Sequence, residues 1–185
     1  MIDRFVIGGM KHCGKSTHGR LLAAGRKLPF FDTDEELEQF YAARTGDALT
    51  SREIYRKIGE EEFRKLEAEV VTRRLTQPGA RVVALGGGAP GNRFIDPAVW
   101  EHSGCFIYLE IDPGEAFLRV KAGGLPPFLA GAEDPEREFM RLYREREQFY
   151  RRYADVIFRA QENASAAENA AALAKEVEDY EQQLR

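Results

Sequence analysis

The chain has 185 residues, enough for one domain with an ample core, and its apolar (43%) and charged (31%) fractions are those of a globular protein in water. With 31 acidic and 27 basic residues the net charge is −4, which argues against a surface for duplex DNA. No apolar run approaches the ~20 residues needed to span a bilayer, and the apolar run from Phe5 leaves no room for a signal peptide. A cytoplasmic protein with no nucleic-acid or membrane partner is therefore expected, and two cysteines, Cys13 and Cys105, suit a reducing compartment.

Apolar runs and helical patterns alternate from end to end, which implies an α/β protein with a mostly parallel sheet. Residues 3–8 read as the first strand. It runs into Gly9-Met10-Lys11-His12-Cys13-Gly14-Lys15-Ser16-Thr17, which is G-x-x-x-x-G-K-S from Gly9 to Ser16. A strand before this pattern and a helix after it make a phosphate-binding loop: glycines let successive N–H groups point inward, and the helix starting near Lys15 adds its positive dipole end. Lys15 is expected to bridge the terminal phosphates and the Ser16 hydroxyl to ligate Mg²⁺. Cys13 is read as filler of the loop rather than as a nucleophile.

The helix after the loop carries Leu21, Leu22 and Ala24 and ends near Gly25. Next, Pro29-Phe30-Phe31 meets Asp32-Thr33-Asp34 at a strand tip; side chains two apart on an extended segment face the same way, so Asp32 and Asp34 can serve one cavity. The acidic turn Asp34, Glu35, Glu36 with Leu37, Phe40 and Tyr41 predicts a helix from Thr33 to about Arg44, stopped by Gly46. Thr50-Ser51-Arg52-Glu53 is a capping-box pattern opening a short helix through Lys57. Beyond Gly59 a longer helix holds Phe63, Leu66, Val70, Val71 and Leu75 at helical spacing, with Arg64 and Glu67 three apart, and ends at Pro78-Gly79. On spacing alone Arg64 and Glu67 read as a solvated pair.

Residues 81–85 form a buried strand by their continuous apolar character and run into Gly86-Gly87-Gly88, where a ligand can approach the backbone closely. Asp96-Pro97 and Asp112-Pro113 each read as an N-cap with proline at the first helical position, and Cys105 to Ile111 is the strand between them. Residues 123–134 are rich in glycine and proline and have no helical or strand period, which suggests a lid at about 122–135. A charged helix over Pro135 to Arg152, a last strand over Ala154 to Phe158 and an alanine-rich helix from about Ala164 to Leu184 complete the chain.

The order and spacing of these features resemble the shikimate kinase family of nucleoside-monophosphate-kinase-like P-loop kinases. The residues that carry the resemblance are Gly9 through Thr17, Asp32-Thr33-Asp34, Gly59 through Glu67, Gly86-Gly87-Gly88, and Arg146 with Tyr150 and Ala154-Asp155. It implies one three-layer α/β/α domain over residues 1–185 around a five-stranded parallel sheet, with a substrate-binding helical segment at about 33–62. It also implies a monomer that uses ATP and Mg²⁺ to phosphorylate a hydroxyl of shikimate or a similar hydroxy acid in aromatic amino acid biosynthesis. By the same resemblance Asp32 holds Mg²⁺ through water, and Asp34 contacts the acceptor hydroxyl and is the candidate base. Arg64 and Arg146 bind the substrate carboxylate, Glu67 braces Arg64 or accepts from a substrate hydroxyl, and the Gly86–Gly88 backbone donates to the substrate ring oxygens. Adenine is expected between Arg119 to Lys121 and the loop from Arg159 to Ala164.

One departure stands out. Family members carry an arginine in the lid, typically before Pro-Leu-Leu, and Gly124-Leu125-Pro126-Pro127-Phe128-Leu129 offers proline or leucine instead. An arginine that stabilises transition-state charge is worth roughly 10³ to 10⁵ in rate. Either Lys11, Lys121 or Arg137 supplies part of that charge, or the acceptor is no longer shikimate. A nucleotide-binding pseudo-kinase that has lost transfer and a nucleoside or nucleotide kinase of the same fold are the competing readings.

Overall fold

A computed structural model describes residues 2–161 and 163–185, the side chains of Pro127 and Phe128 excepted. Strand β1 (Arg4–Gly9) is followed by α1 (Lys15–Arg26), β2 (Phe30–Asp32), α2 (Thr33–Thr45), α3 (Ser51–Ile58) and α4 (Glu60–Thr76). Then come β3 (Arg81–Ala84), a 3₁₀ turn (Ala89–Gly91), α5 (Pro97–Glu101), β4 (Cys105–Glu110) and α6 (Pro113–Ala122). The chain continues through α7 (Pro127–Ala130), α8 (Pro135–Tyr153), β5 (Val156–Arg159) and α9 (Ala166–Gln183).

The five strands lie in the order β2-β3-β1-β4-β5 and every neighbouring pair is parallel, with Val6 opposite Val83 on one side and Phe106 on the other. Helices cover both faces. Ile7 lies against Gly19 of α1, whereas the next residue, Gly8, lies against Tyr150 of α8, and successive strand residues point to opposite faces. That double cover explains why β1, β3 and β4 are apolar almost without interruption: Phe5, Val6, Ile7, Val82, Val83, Phe106 and Ile107 are all buried. Because the strands are parallel, the segments leaving β1, β2 and β3 emerge at one edge. The chain leaves β1 toward β2 and later crosses back over β1 from β3 to β4, so a crevice opens there.

A second, smaller apolar cluster lies off the sheet. Leu37 and Tyr41 of α2, Ile54 of α3, and Phe63, Leu66 and Val70 of α4 pack together. Caps hold these helices in place. Asp32 Oδ1 accepts from the Asp34 N–H at 3.0 Å, and Thr50 and Glu53 form a reciprocal capping box at the start of α3. No described helix is long and apolar enough to cross a membrane.

Two expectations need correction. Asp34 does not continue an extended strand: β2 stops at Asp32, which caps α2, and Asp34 sits in its first turn. Residues 123–134 are not wholly irregular: α7 forms there, opened by Pro127, and Leu129 is buried against the main core.

Candidate active site

The phosphate-binding half is built from backbone. Gly9 takes φ 150° and Gly14 φ 95°, so the loop curls where a Cβ would be strained, and Gly14 precedes α1 with no side-chain cap. The first amides of α1 are thus left to an outside acceptor. His12, at φ 65°, adopts the left-handed region that costs a side-chain-bearing residue energy, a feature common at ligand-binding loops. Lys15 Nζ donates to the carbonyls of Gly9 (3.1 Å) and Met10 (2.9 Å), which folds the ammonium back over the loop. The Tyr150 hydroxyl, buried on α8, donates to the Gly9 carbonyl at 2.9 Å and pins the end of β1.

Other predicted loop residues divide clearly. Met10 and Cys13 turn their side chains into the core, so only their backbones can serve a ligand, and the Cys13 N–H donates to the Met10 carbonyl at 3.3 Å. Thr17 and Lys11 are exposed. Arg119 reaches back from α6 to the His12 carbonyl (3.1 Å), whereas Lys121 lies exposed at the end of that helix. Glu162, in the loop expected to face adenine, lies outside the described residues.

Ser16 Oγ donates to Asp32 Oδ2 at 2.5 Å. A hydroxyl and a carboxylate thus converge at the head of α1, a hard-oxygen pair that fits Mg²⁺, which takes one or two protein oxygens and fills its shell with phosphate and water. No cluster of three His, Cys, Asp or Glu residues suited to a metal occurs among the described residues.

Beside this loop lies a cavity of about 150 Å³, with Lys11, Asp34, Arg52, Arg64, Glu67 and Arg146 in its wall. Arg64 and Glu67 are not a solvated pair. Glu67 is buried, accepting from Arg64 Nη1 at 2.9 Å and from Asn92 Nδ2 at 2.9 Å, while Asn92 Nδ2 also donates to the Arg64 carbonyl at 2.7 Å. Arg64 Nη1 donates to the Gly88 carbonyl as well, at 3.2 Å. A Cβ at Gly88 would collide with the Arg64 guanidinium, and one at Gly86 with the Asp34 carboxylate, so these two glycines admit the charged side chains to the wall. The Gly86 N–H is already committed to Thr33 Oγ1 at 2.7 Å, which corrects the expectation that all three glycine amides serve a ligand; Gly87 and Gly88 line the cavity.

The charges are unbalanced. Four cationic side chains, Lys11, Arg52, Arg64 and Arg146, face two carboxylates, so the cavity favours an anionic guest. Burial, then the nearby Arg64 charge, lowers the Arg146 pKa from its ordinary value. The Asp34 carboxylate is exposed to the cavity but crowded by protein atoms; the resulting loss of hydration, with Asp32 and Glu67 close by, pushes its pKa up to about 6.

Of the cations proposed to offset an arginine-free lid, the structure brings Lys11 to this cavity, while Lys121 and Arg137 are exposed elsewhere. Arg52, Asn92 and Thr33 were not singled out in sequence. Arg52 reads there as a surface residue of a capping box, and nothing local marks Asn92 or Thr33 as partners of residues so distant in the chain.

Comparison with known proteins gives a consistent result. A family model described as shikimate kinase matches residues 11–178. The shikimate kinase of Mycobacterium avium (strain 104) is 38% identical over 156 residues, which cover 84% of this chain and 83% of that protein. That of Rhodococcus jostii (strain RHA1) is 36% identical over 159 residues, 86% and 89% of the two chains. Among solved structures, a shikimate kinase from Acinetobacter baumannii in complex with shikimate matches with TM-score 0.80 at 26% identity, covering 97% of this chain and 94% of that one. A gluconokinase from Sinorhizobium meliloti 1021, at 18% identity and TM-score 0.51, shares the fold alone.

Proposed function

The chain belongs to the shikimate kinase family, and from that premise we propose that it transfers the γ-phosphoryl group of ATP to a hydroxyl of shikimate or a close hydroxy acid. The observation that carries this reading is one cavity with two guanidiniums, Arg64 and Arg146, and with Asp34 in the same wall beside the phosphate loop. A small acid with a ring hydroxyl suits that arrangement. A nucleoside acceptor does not, because it brings no carboxylate to the two half-buried arginines of the wall.

In this reading Arg64 and Arg146 grip the carboxylate, and Glu67 with Asn92 holds Arg64 in place. Gly87 and Gly88 let the acceptor ring lie against the backbone. Asp34 orients the acceptor hydroxyl and takes its proton as the oxygen bonds to the γ-phosphorus and the bond to the departing ADP breaks. Positioning matters more than basicity here, since phosphoryl transfer is loose. Lys15 and the loop amides bind the β- and γ-phosphates; Ser16, and Asp32 through water, hold Mg²⁺, whose charge supports the phosphates. Arg119 lies on the nucleotide side. The same reading has the chain acting in the cytoplasm as a monomer on two small molecules.

The test is a coupled ADP-release assay across shikimate, quinate and gluconate. Shikimate is expected to give the highest kcat/KM. If no acid raises ADP release above background hydrolysis, the reading fails.

A further inference from the structure

The segment that follows α6 carries no positive charge of its own. From Ala122 to Asp134 its only charged residues are Glu133 and Asp134, both acidic, and Pro126 and Leu129 present apolar surface to the cavity. Any side-chain cation that meets the reacting phosphoryl group from this side is therefore supplied by another element. Besides Arg64 and Arg146, the cavity wall holds Lys11 of the phosphate loop and Arg52 of α3, and Arg52 is the one bonded to the segment itself. Its side chain lines the cavity, and its Nη2 donates to the Gly124 carbonyl at 2.9 Å, crossing from the acceptor-side helices to the start of the segment.

Three further features show that this reach is built in. The base of Arg52 is fixed, because the preceding residue, Ser51, donates its N–H (2.7 Å) and hydroxyl (3.0 Å) to Glu38 Oε1 of α2, and Ile54 is wholly buried two positions on. The receiving segment is shaped for close approach: Gly124 takes φ 83°, and a Cβ at Gly123 would press on the His12 ring, so the chain runs between His12 of the phosphate loop and Arg52. The charges converge at one place as well. Partial desolvation of the exposed His12 ring, then Lys11, Lys15, Arg52 and Arg119 together, lower its pKa, so the Arg52 charge is felt at the loop that binds the phosphates.

We propose that Arg52, carried on α3 and latched to the backbone at Gly124, is a catalytic residue that contacts the transferred phosphoryl group. Closure of the 122–135 segment and neutralisation of transition-state charge then become one event. The proposal rests on the kinase reading above and deepens it. The guanidinium suits the task because its planar fork can bond a carbonyl on one edge and a phosphoryl oxygen on the other.

The experiment compares Arg52→Ala, Arg52→Lys and the exposed neighbour Arg56→Ala with the parent, measuring kcat and KM for shikimate and the Kd of MgADP. Arg52→Ala is expected to lower kcat about 100-fold or more with the MgADP Kd changed less than about twofold, the signature of an interaction made in the transition state. Arg52→Lys keeps the charge but loses the fork and is expected to recover no more than about a tenth of the parental kcat. Arg56→Ala should match the parent. A kcat for Arg52→Ala within about threefold of the parent, or a loss confined to the shikimate KM, overturns the proposal. A parent that phosphorylates no acid overturns the kinase reading separately; Arg52 is then judged on slow ATP hydrolysis, where an unchanged rate in Arg52→Ala overturns this proposal too.

Discussion

The two halves of the site are made in opposite ways. The phosphate half is one continuous stretch on the edge of the large core, held by backbone conformation at Gly9 and Gly14 and anchored by the Tyr150 hydroxyl. The half proposed to take the acceptor is assembled from side chains on α2, α3, α4 and α8 and the loop after β3, and three of those helices share their own small core around Ile54 and Phe63. A cradle of amides needs few particular side chains, whereas a cavity of opposed charges needs each one placed by packing. The first half should thus fail by losing nucleotide, and the second by losing acceptor with nucleotide retained.

The sharpest way to break that division is at its charged centre. Lys15→Met is expected to lower kcat roughly 10³-fold and to weaken MgATP binding, read by steady-state kinetics and by calorimetry. Unchanged nucleotide affinity would remove the phosphate half from the account. Asp34→Asn should lower kcat about 100-fold with MgADP binding intact.

The same residue makes a pH test. Its raised pKa, about 6, means that kcat/KM should fall as pH drops through about 6, where the carboxylate takes up a proton and can no longer accept one. The folded chain also binds this proton when the unfolded chain has already released it, so Asp34 opposes folding increasingly as pH rises from about 4 to about 6. Asp34→Asn should accordingly raise Tm at pH 7 and change it less at pH 4, as scanning calorimetry would show.

Smaller effects sharpen the comparison. Arg64→Ala should raise the shikimate KM about 30-fold, a loss of ~2 kcal/mol, and leave the MgADP Kd within about twofold. Ile54→Ala removes a wholly buried side chain from the small core and should cost about 2–4 kcal/mol of stability in urea unfolding. Its kinetic effect should be a modest rise in the shikimate KM, because α3 and α4 carry acceptor-side groups; an equal loss of nucleotide affinity would show that the two halves are not separable.

Much of the fold was legible in residue order. The alternation of apolar runs with helical patterns located all five strands, and Thr50 with Glu53, Asp96, Asp112 and Gly46 marked helix ends where the structure has them. Residues 123–134 misled because one turn of helix opened by Pro127 is too short to leave a period. On the acceptor side, Arg64, Glu67 and Arg146 were picked out by resemblance, since on spacing alone they look like surface charges. Arg52 and Asn92 were overlooked.

By itself the sequence determined the phosphate loop, the parallel α/β plan and the family, because each of these is written in neighbouring residues whose backbone preferences act locally. Only the tertiary structure decided that Glu67 is buried against Arg64 and Asn92, that Asp34 holds its proton to about pH 6, and that Arg52 spans the cleft to Gly124. Those outcomes depend on how α2, α3 and α4 pack against the sheet edge. That packing brings together charges far apart along the chain and buries Glu67 among them, which no local pattern encodes.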